Sequence, residues 1–325
     1  MSDDNTRRGN GSATTDDEIA RLQDRLGAVR QEVKKRIVGQ DEVMEQLLVC
    51  LLCDGNALLE SNPGLGKTSM IRALSEVIEL EFSRIQNTPD LMPSDITGTE
   101  IIRESEHGRE FVFEQGPIFA NVVLADEINR ATPKTQAALL EAMQEKQVTA
   151  AGETYRLPEP FFVLATQNPI DQEGTYPLPE AQTDRFLLKI VLDYPSYEEE
   201  REIVQLYTEG TATPAVEQVV SRDELRTMQS LVREVPIASD IRDRAITLVR
   251  KTRDSPDIEY GASPRASMAL VLAGKARAFL RGRSHVSWED IEAMATPVLR
   301  HRILVDFRAE REGTTPEDAI ASLVE

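Results

Sequence analysis

Ala57-Leu-Leu-Glu-Ser-Asn-Pro-Gly-Leu-Gly-Lys-Thr68 joins an apolar run to a glycine-bearing turn and then to the start of a helical pattern. Ala57, Leu58 and Leu59 predict a strand, and the residues from Lys67 onward predict a helix. Between them the chain must turn sharply, and a glycine-bearing turn of this kind aims backbone N–H groups at one point. Lys67 adds a point charge there, and the Thr68 hydroxyl can ligate a divalent cation. Asn62, Pro63, Gly64, Leu65, Gly66 and Ser69 complete the candidate phosphate-binding set. Ser61 departs from the usual Gly-x-x-x-x-Gly-Lys-Ser/Thr pattern at its first position. Further along, Leu124-Ala-Asp126-Glu127 ends a second apolar run in two carboxylates. Asp126 offers a partner for Mg²⁺ and Glu127 a group that orients water. Each half supplies what the other lacks, and together they predict an ATP-hydrolysing site. Read alone, the two acids could equally be solvated or cap the next helix.

The chain has 325 residues, enough for two domains with their own cores. Its longest apolar run, Leu47 to Cys53, is far too short to span a bilayer. Met1 to Asp17 is polar and lacks the basic-then-apolar order of a secretory leader. The expectation is a cytoplasmic protein with a disordered tail over 1–17. The net charge is −19, from 37 basic and 56 acidic residues, and only eight of the basic residues are lysine. Two explanations of that balance stand open. A lysine-poor acidic surface suits a cytoplasm of very high salt, as in a halophilic archaeon, where the Debye length falls to about 3 Å. A GC-rich genome encoding an ordinary acidic protein gives the same composition. Either way, the acidity argues against broad nucleic-acid binding, which needs a basic stripe. Cys50 and Cys53 lie in an apolar helical pattern without a second Cys pair, which reads as buried thiols. The histidines at 107, 285 and 301 lack zinc-ligand spacing.

From Ala57 to Val191 strand and helix patterns alternate. Continuous apolar runs such as Val122-Val-Leu-Ala125 fit strands covered on both faces, so a parallel sheet between helices follows. Thr99 to Phe113 predicts an inserted hairpin, spanning about 96–116, and Gln147 to Arg156 a second, shorter one. After Pro195 the pattern predicts helices only, with capping-box spacing at Ser221/Glu224 and Ser287/Asp290. The expected division is an α/β domain over 18–195 and a helical one over 196–325.

Four further stretches follow in order: Ala125-Asp-Glu-Ile-Asn-Arg-Ala131, Ala165-Thr-Gln-Asn-Pro169, Leu178-Pro-Glu-Ala-Gln-Thr-Asp-Arg-Phe186 and Gly261-Ala-Ser-Pro-Arg-Ala266. With the glycine loop they closely resemble the MoxR-type AAA+ ATPases of the helix-2-insert clade, from about Ile37 to the carboxyl terminus. The resemblance implies a three-layer α/β P-loop domain with a parallel sheet, an all-α lid domain and a hexameric ring of identical subunits with ATP between neighbours. It also implies chaperone-like remodelling, maturation or cofactor insertion, on client proteins that often carry von Willebrand factor A domains.

The resemblance makes Asn168 a sensor of the γ-phosphate, Arg185 the arginine finger, Arg265 the second sensor, and Ile37, Val38 and Gly39 the adenine pocket. Each has a plainer alternative. Asn168 before Pro169 is also ordinary turn chemistry, and Arg185 could pair with Asp184. Arg265 could pair with Glu259 or Asp257, and Ile37 to Gly39 could be an interhelix turn. Ser263 and Pro264 suit the cap and first position of a helix, with Arg265 in its first turn. Two other functions are open: a DNA-dependent motor of the same clade, and a nucleotide-gated scaffold with little turnover.

Overall fold

The computed structural model describes residues 16–105, 108–150, 152–169, 174–209 and 214–324. Residues 1–15 of the expected tail, His107, Ala151 of the second hairpin turn and 210–213 of the interdomain segment lie outside the described residues. Asp16 and Asp17, assigned to that tail, form the acidic first turn of α1.

Helices α1 (Asp16–Lys34) and α2 (Asp41–Leu52) lead into β1 (Ala57–Ser61), the glycine loop and α3 (Lys67–Val77). Strand β2 (Phe82–Gln86) and the short α4 (Pro93–Thr97) precede a hairpin of β3 (Gly98–Ser105) and β4 (Gly108–Gln115). Next come β5 (Val122–Asp126), α5 (Pro133–Glu145) and a second hairpin, β6 (Gln147–Ala150) with β7 (Glu153–Arg156). Then β8 (Phe162–Gln167), the short α6 (Glu180–Thr183) and β9 (Leu188–Leu192) complete the α/β part.

Five strands pair in the order β2-β5-β8-β1-β9, all parallel. The apolar runs are continuous because both faces are covered. Ala57, Leu59, Val122, Leu124, Phe162 and Leu164 join one core with α1, α2 and α3. The alternate residues Leu58, Val123, Ala125, Val163 and Ala165 join a second core with α5. A period of two thus divides each strand between two helical layers. The two hairpins touch through Phe113 and Tyr155, whose rings stack at 4.1 Å.

The remaining elements are α7 (Tyr197–Thr208), α8 (Arg222–Glu234), α9 (Ser239–Asp254), β10 (Ile258–Tyr260) and α10 (Pro264–Leu280). They end with α11 (Trp288–Leu299), β11 (Leu304–Val305), α12 (Phe307–Arg311) and α13 (Pro316–Val324). Both predicted capping boxes form, and Ser196/Glu199 makes a third at α7. The lid is helical, but the expectation of helices alone after Pro195 needs one correction. Strands β10 and β11 pair antiparallel, with Ile258 opposite Val305. Elements of two or three residues are too short to show a period, so their pairing was not readable locally.

Candidate active site at the strand ends

Because β8 lies between β5 and β1, the carboxyl ends of three adjacent strands bring separate motifs together. They carry Asp126 with Glu127, then Asn168, then the glycine loop. Parallel α/β sheets bind ligands at such ends. In the loop, Gly64 and Gly66 sit at φ +84° and +76°, where an L side chain is strained. A Cβ on either would meet nothing within 4 Å, so the loop wraps open space of the kind a phosphate fills. Helix α3 starts at Lys67 and presents its unpaired first-turn N–H groups to that space. Ser61 is still in strand, opposite Leu192, and has no positive φ, so glycine is not required there.

Asp126 is only 4% exposed. Its Oδ1 accepts from Thr166 Oγ1 at 2.6 Å and lies 3.5 Å from Lys67 Nζ. Its Oδ2 accepts from Arg84 Nη2 at 2.6 Å and Nε at 3.2 Å. Burial opposes ionisation, but the Thr166 and Arg84 hydrogen bonds and the Lys67 charge outweigh it and hold the carboxyl below its ordinary range. The same Thr166 hydroxyl accepts from the Glu127 backbone N–H at 2.8 Å. Glu127 adopts φ +55° and its side chain caps no helix. Instead its Oε2 accepts from Arg130 Nη1 at 3.2 Å and Gln86 Nε2 at 3.3 Å. Asn168 follows β8 directly and is buried between the two motif-bearing strands.

Beside the loop, a cavity of about 480 Å³ is lined by Ile37, Val38, Pro63 to Gly66 and Ser69, with Tyr194, Ile203 and Tyr207 opposite. Gly39 stands behind this lining at φ +66°, where a Cβ would come 2.1 Å from Glu199 Oε1. It admits the start of α7.

Arg185 and Arg265 are elsewhere. Arg185 Nη1 donates to Gln144 Oε1 on α5, not to Asp184. Asp184 is taken up by the lid: it accepts from Arg302 Nε at 2.8 Å, Ser263 Oγ at 3.1 Å and Arg265 Nη1 at 3.4 Å. The alternative pairing of Arg265 with Glu259 or Asp257 therefore does not form. Ser263 caps α10 by accepting from the Arg265 N–H, and Pro264 takes the first helical position. The lid thus holds Arg265 beside the segment that bears Arg185.

Residues 56–188 match the ATPase family associated with various cellular activities, AAA, and residues 250–323 match the AAA lid domain. Chaperone MoxR1 of Mycobacterium tuberculosis is 45% identical over 298 residues, covering 89% of this chain and 78% of its own. The chain belongs to the MoxR family of AAA+ ATPases. A Bacillus subtilis relative, YeaC, is 43% identical over 299 residues, 92% of this chain and 93% of that one. The crystal structure of a Cytophaga hutchinsonii protein assigned as an ATPase aligns with a TM-score of 0.88 at 41% identity, over 95% and 96% of the two chains. This MoxR-family protein is therefore a nucleotide-binding ATPase with an AAA body and an AAA lid. None of its described helices is long and apolar enough to cross a membrane.

Several residues at the site of this MoxR-family ATPase escape a motif reading. Thr166 ties Asp126 to Glu127; it sits in the Ala165-Thr-Gln-Asn-Pro169 stretch, just after the apolar Phe162 to Ala165 run, where nothing local announces that contact. Arg84 and Gln86 look like the polar side of an ordinary strand until β2 is known to pair with β5. Tyr194 and Tyr207 reach the cavity from beyond the last strand of the sheet. Cys50 and Cys53 are buried, and burial pushes both thiols up, away from reactivity.

Proposed function

We propose that this ATPase hydrolyses Mg·ATP at the seams of a homo-oligomeric ring and spends the cycle on chaperone-like remodelling, maturation or cofactor insertion in client proteins. The reading rests on one observation: Lys67, Asp126, Glu127 and Asn168 converge at the ends of three adjacent strands, around a loop with room for phosphate. Lys67 and the α3 first turn bind the phosphates, and Ile37 and Val38 floor the purine. Thr68 and Asp126 would hold Mg²⁺, which when bound would supply positive charge to the phosphates. Glu127, steadied by Arg130 and Gln86, accepts a hydrogen bond from the attacking water, and Asn168 helps to place it.

Arg185 and Arg265 act in trans in this reading. They share one region of the protomer, linked through Asp184, away from the cavity beside their own loop. A cation at a helix's first turn opposes the helix dipole, so Arg265 suits a site where a neighbour brings phosphate. The inserted hairpin is the candidate client contact. Ile102 and Phe111 face each other across β3 and β4, and both are exposed. Clients with von Willebrand factor A domains are the class the family resemblance suggests. The cytoplasm is the proposed compartment, and a boundary near residue 195 separates body from lid.

Glu127→Gln tests the reading, because the amide fills the same volume without a carboxylate. ATP binding should persist while phosphate release falls by about 10²-fold or more. The ATP-locked variant should also retain a client that the wild type releases. Wild-type turnover in Glu127→Gln would remove Glu127 from the chemistry.

A further inference from the structure

We propose that Arg84 is a placeholder cation for the metal: it holds the Asp126 carboxylate in the metal-free protein, and it must let go when Mg²⁺ binds. The inference rests on the reading of Asp126 as the carboxylate that serves the metal.

Strand register puts Arg84 where it is. Gln86 pairs with Asp126 and Arg84 with Leu124 across parallel strands. Residues two apart share a face, so Arg84, Gln86 and Asp126 project to the same side of the sheet. A carboxylate as buried as Asp126 needs positive charge beside it. In this structure two cations supply it, Lys67 from the loop and Arg84 from the edge strand. Lys67 is the cation that the phosphates claim. Arg84 then remains, with two N–H groups on Oδ2, while Oδ1 is engaged by Thr166. Nearly all the accepting capacity of Asp126 is thus used by protein donors. A divalent ion, or a water that it holds, needs part of that capacity, and its charge repels a guanidinium at the same oxygen.

Arg84 is free to leave. Its side chain is 46% exposed and β2 forms the edge of the sheet, so water can receive the guanidinium. Its departure also reaches the water-orienting carboxylate. Arg84 Nη2 donates to Gln86 Oε1 at 2.5 Å, and Gln86 donates to Glu127. The chain Asp126–Arg84–Gln86–Glu127 therefore connects the state of the metal to the tethering of Glu127.

The test is a Mg²⁺ titration of fluorescent mant-ADP binding to full-length protein, a readout independent of turnover. Wild type should bind mant-ADP more tightly as Mg²⁺ rises. In Arg84→Ala the half-saturating Mg²⁺ should fall about tenfold, which corresponds to ~1.4 kcal/mol of lost competition. Arg84→Lys, which keeps the charge without the paired donors, should lie between. Asp126 keeps Thr166 and Lys67 in these variants. If Arg84→Ala nevertheless fails to fold, Arg84→Gln carries the same expectation. An unchanged half-saturation overturns the proposal. A raised one overturns it too, because Arg84 would then be holding Asp126 in place for the metal. Wild type that binds mant-ADP equally with and without Mg²⁺ also overturns it. No mant-ADP binding at any Mg²⁺ level defeats the nucleotide-site reading along with this one.

Discussion

Asp126 and Asp184 both gather cations at the end of an element of the α/β body, but they draw them from different places. Asp126 takes Lys67, Arg84 and Thr166 from its own sheet and loop. Asp184 takes Arg302, Arg265 and Ser263 from the lid. The first cluster can be rearranged by phosphate and metal without moving a domain. The second cannot lose all its partners unless the lid shifts. Asp184's two arginines differ as well. Arg302, whose side chain is 2% exposed, also donates to the carbonyls of Asp184, Phe186, Leu187 and Val298. Arg265 is 49% exposed and its contact with Asp184 is long, at 3.4 Å. One arginine staples the lid, and the other can be detached from it. Local chemistry and domain coupling thus sit on separate carboxylates.

The sharpest way to break this comparison is to disable each side in a different subunit. Arg185→Ala should lower ATP turnover by about 10³-fold, the lower range for loss of an arginine finger. Lys67→Ala should abolish nucleotide binding in its own subunit. Each variant alone should be close to inactive, yet under the proposed trans arrangement a Lys67→Ala subunit would still offer Arg185 to a neighbour. Mixing the two should therefore restore phosphate release well above the sum of the separate preparations. A mixture no more active than its parts would confine Arg185 to its own subunit.

The sheet and the cradle were readable because their signals are local. Val122 to Ala125 declares a doubly covered strand by its unbroken apolarity, and Gly64 to Thr68 carries its turn and ligands within a few residues. The seam was not readable that way. Asp184 meets Arg302 across 118 residues, and nothing near either one announces the partner. A local reading pairs Arg185 with Asp184 and Arg265 with Glu259 or Asp257, since those charges are adjacent in sequence. The fold overrides both. Strand β9 is a smaller case: the apolar pattern begins at Phe186, but the Phe186 and Leu187 carbonyls go to Arg302, and the strand starts at Leu188. The roles assigned to Asn168, Arg185 and Arg265 came from the resemblance, and it is their placement that the structure adds.

The staple and the detachable arginine separate next. Arg302→Met keeps bulk but leaves buried carbonyls and half of Asp184 without a donor. Breaking a buried ion pair from one side typically costs about 3–5 kcal/mol. Arg265→Met removes a half-exposed pair, for which the cost is within about 1 kcal/mol. Urea denaturation of the two variants beside wild type measures the contrast. Equal losses would show that Asp184 does not distinguish its arginines.

The smallest effect follows from pH, and it separates the clusters by sign and by window. His301 Nε2 lies 3.1 Å from the Phe186 carbonyl. Burial, then the charge of Arg302 beside it, pushes its folded pKa well below the usual value, with Lys189 and Arg300 adding to the effect. In the unfolded chain the ring takes a proton near pH 6.5. The folded chain refuses that proton until much lower pH, so unfolding binds a proton over the interval and stability falls with falling pH. Asp126 runs in another window. Its folded pKa is depressed, so its contribution stands above about pH 3.9 and is lost only as pH falls through the lower folded value. Mild acid should therefore weaken the seam while the cradle stays charged. Between pH 6.5 and 5.5 the His301 term approaches about 1.4 kcal/mol per pH unit. His301→Gln can still donate to Phe186 but does not titrate. Unfolding free energies from urea titrations at pH 7.5 and 5.5 should fall more in wild type than in His301→Gln, by about 1.4 kcal/mol over the whole interval. Parallel falls in the two proteins would move the acid sensitivity away from the seam.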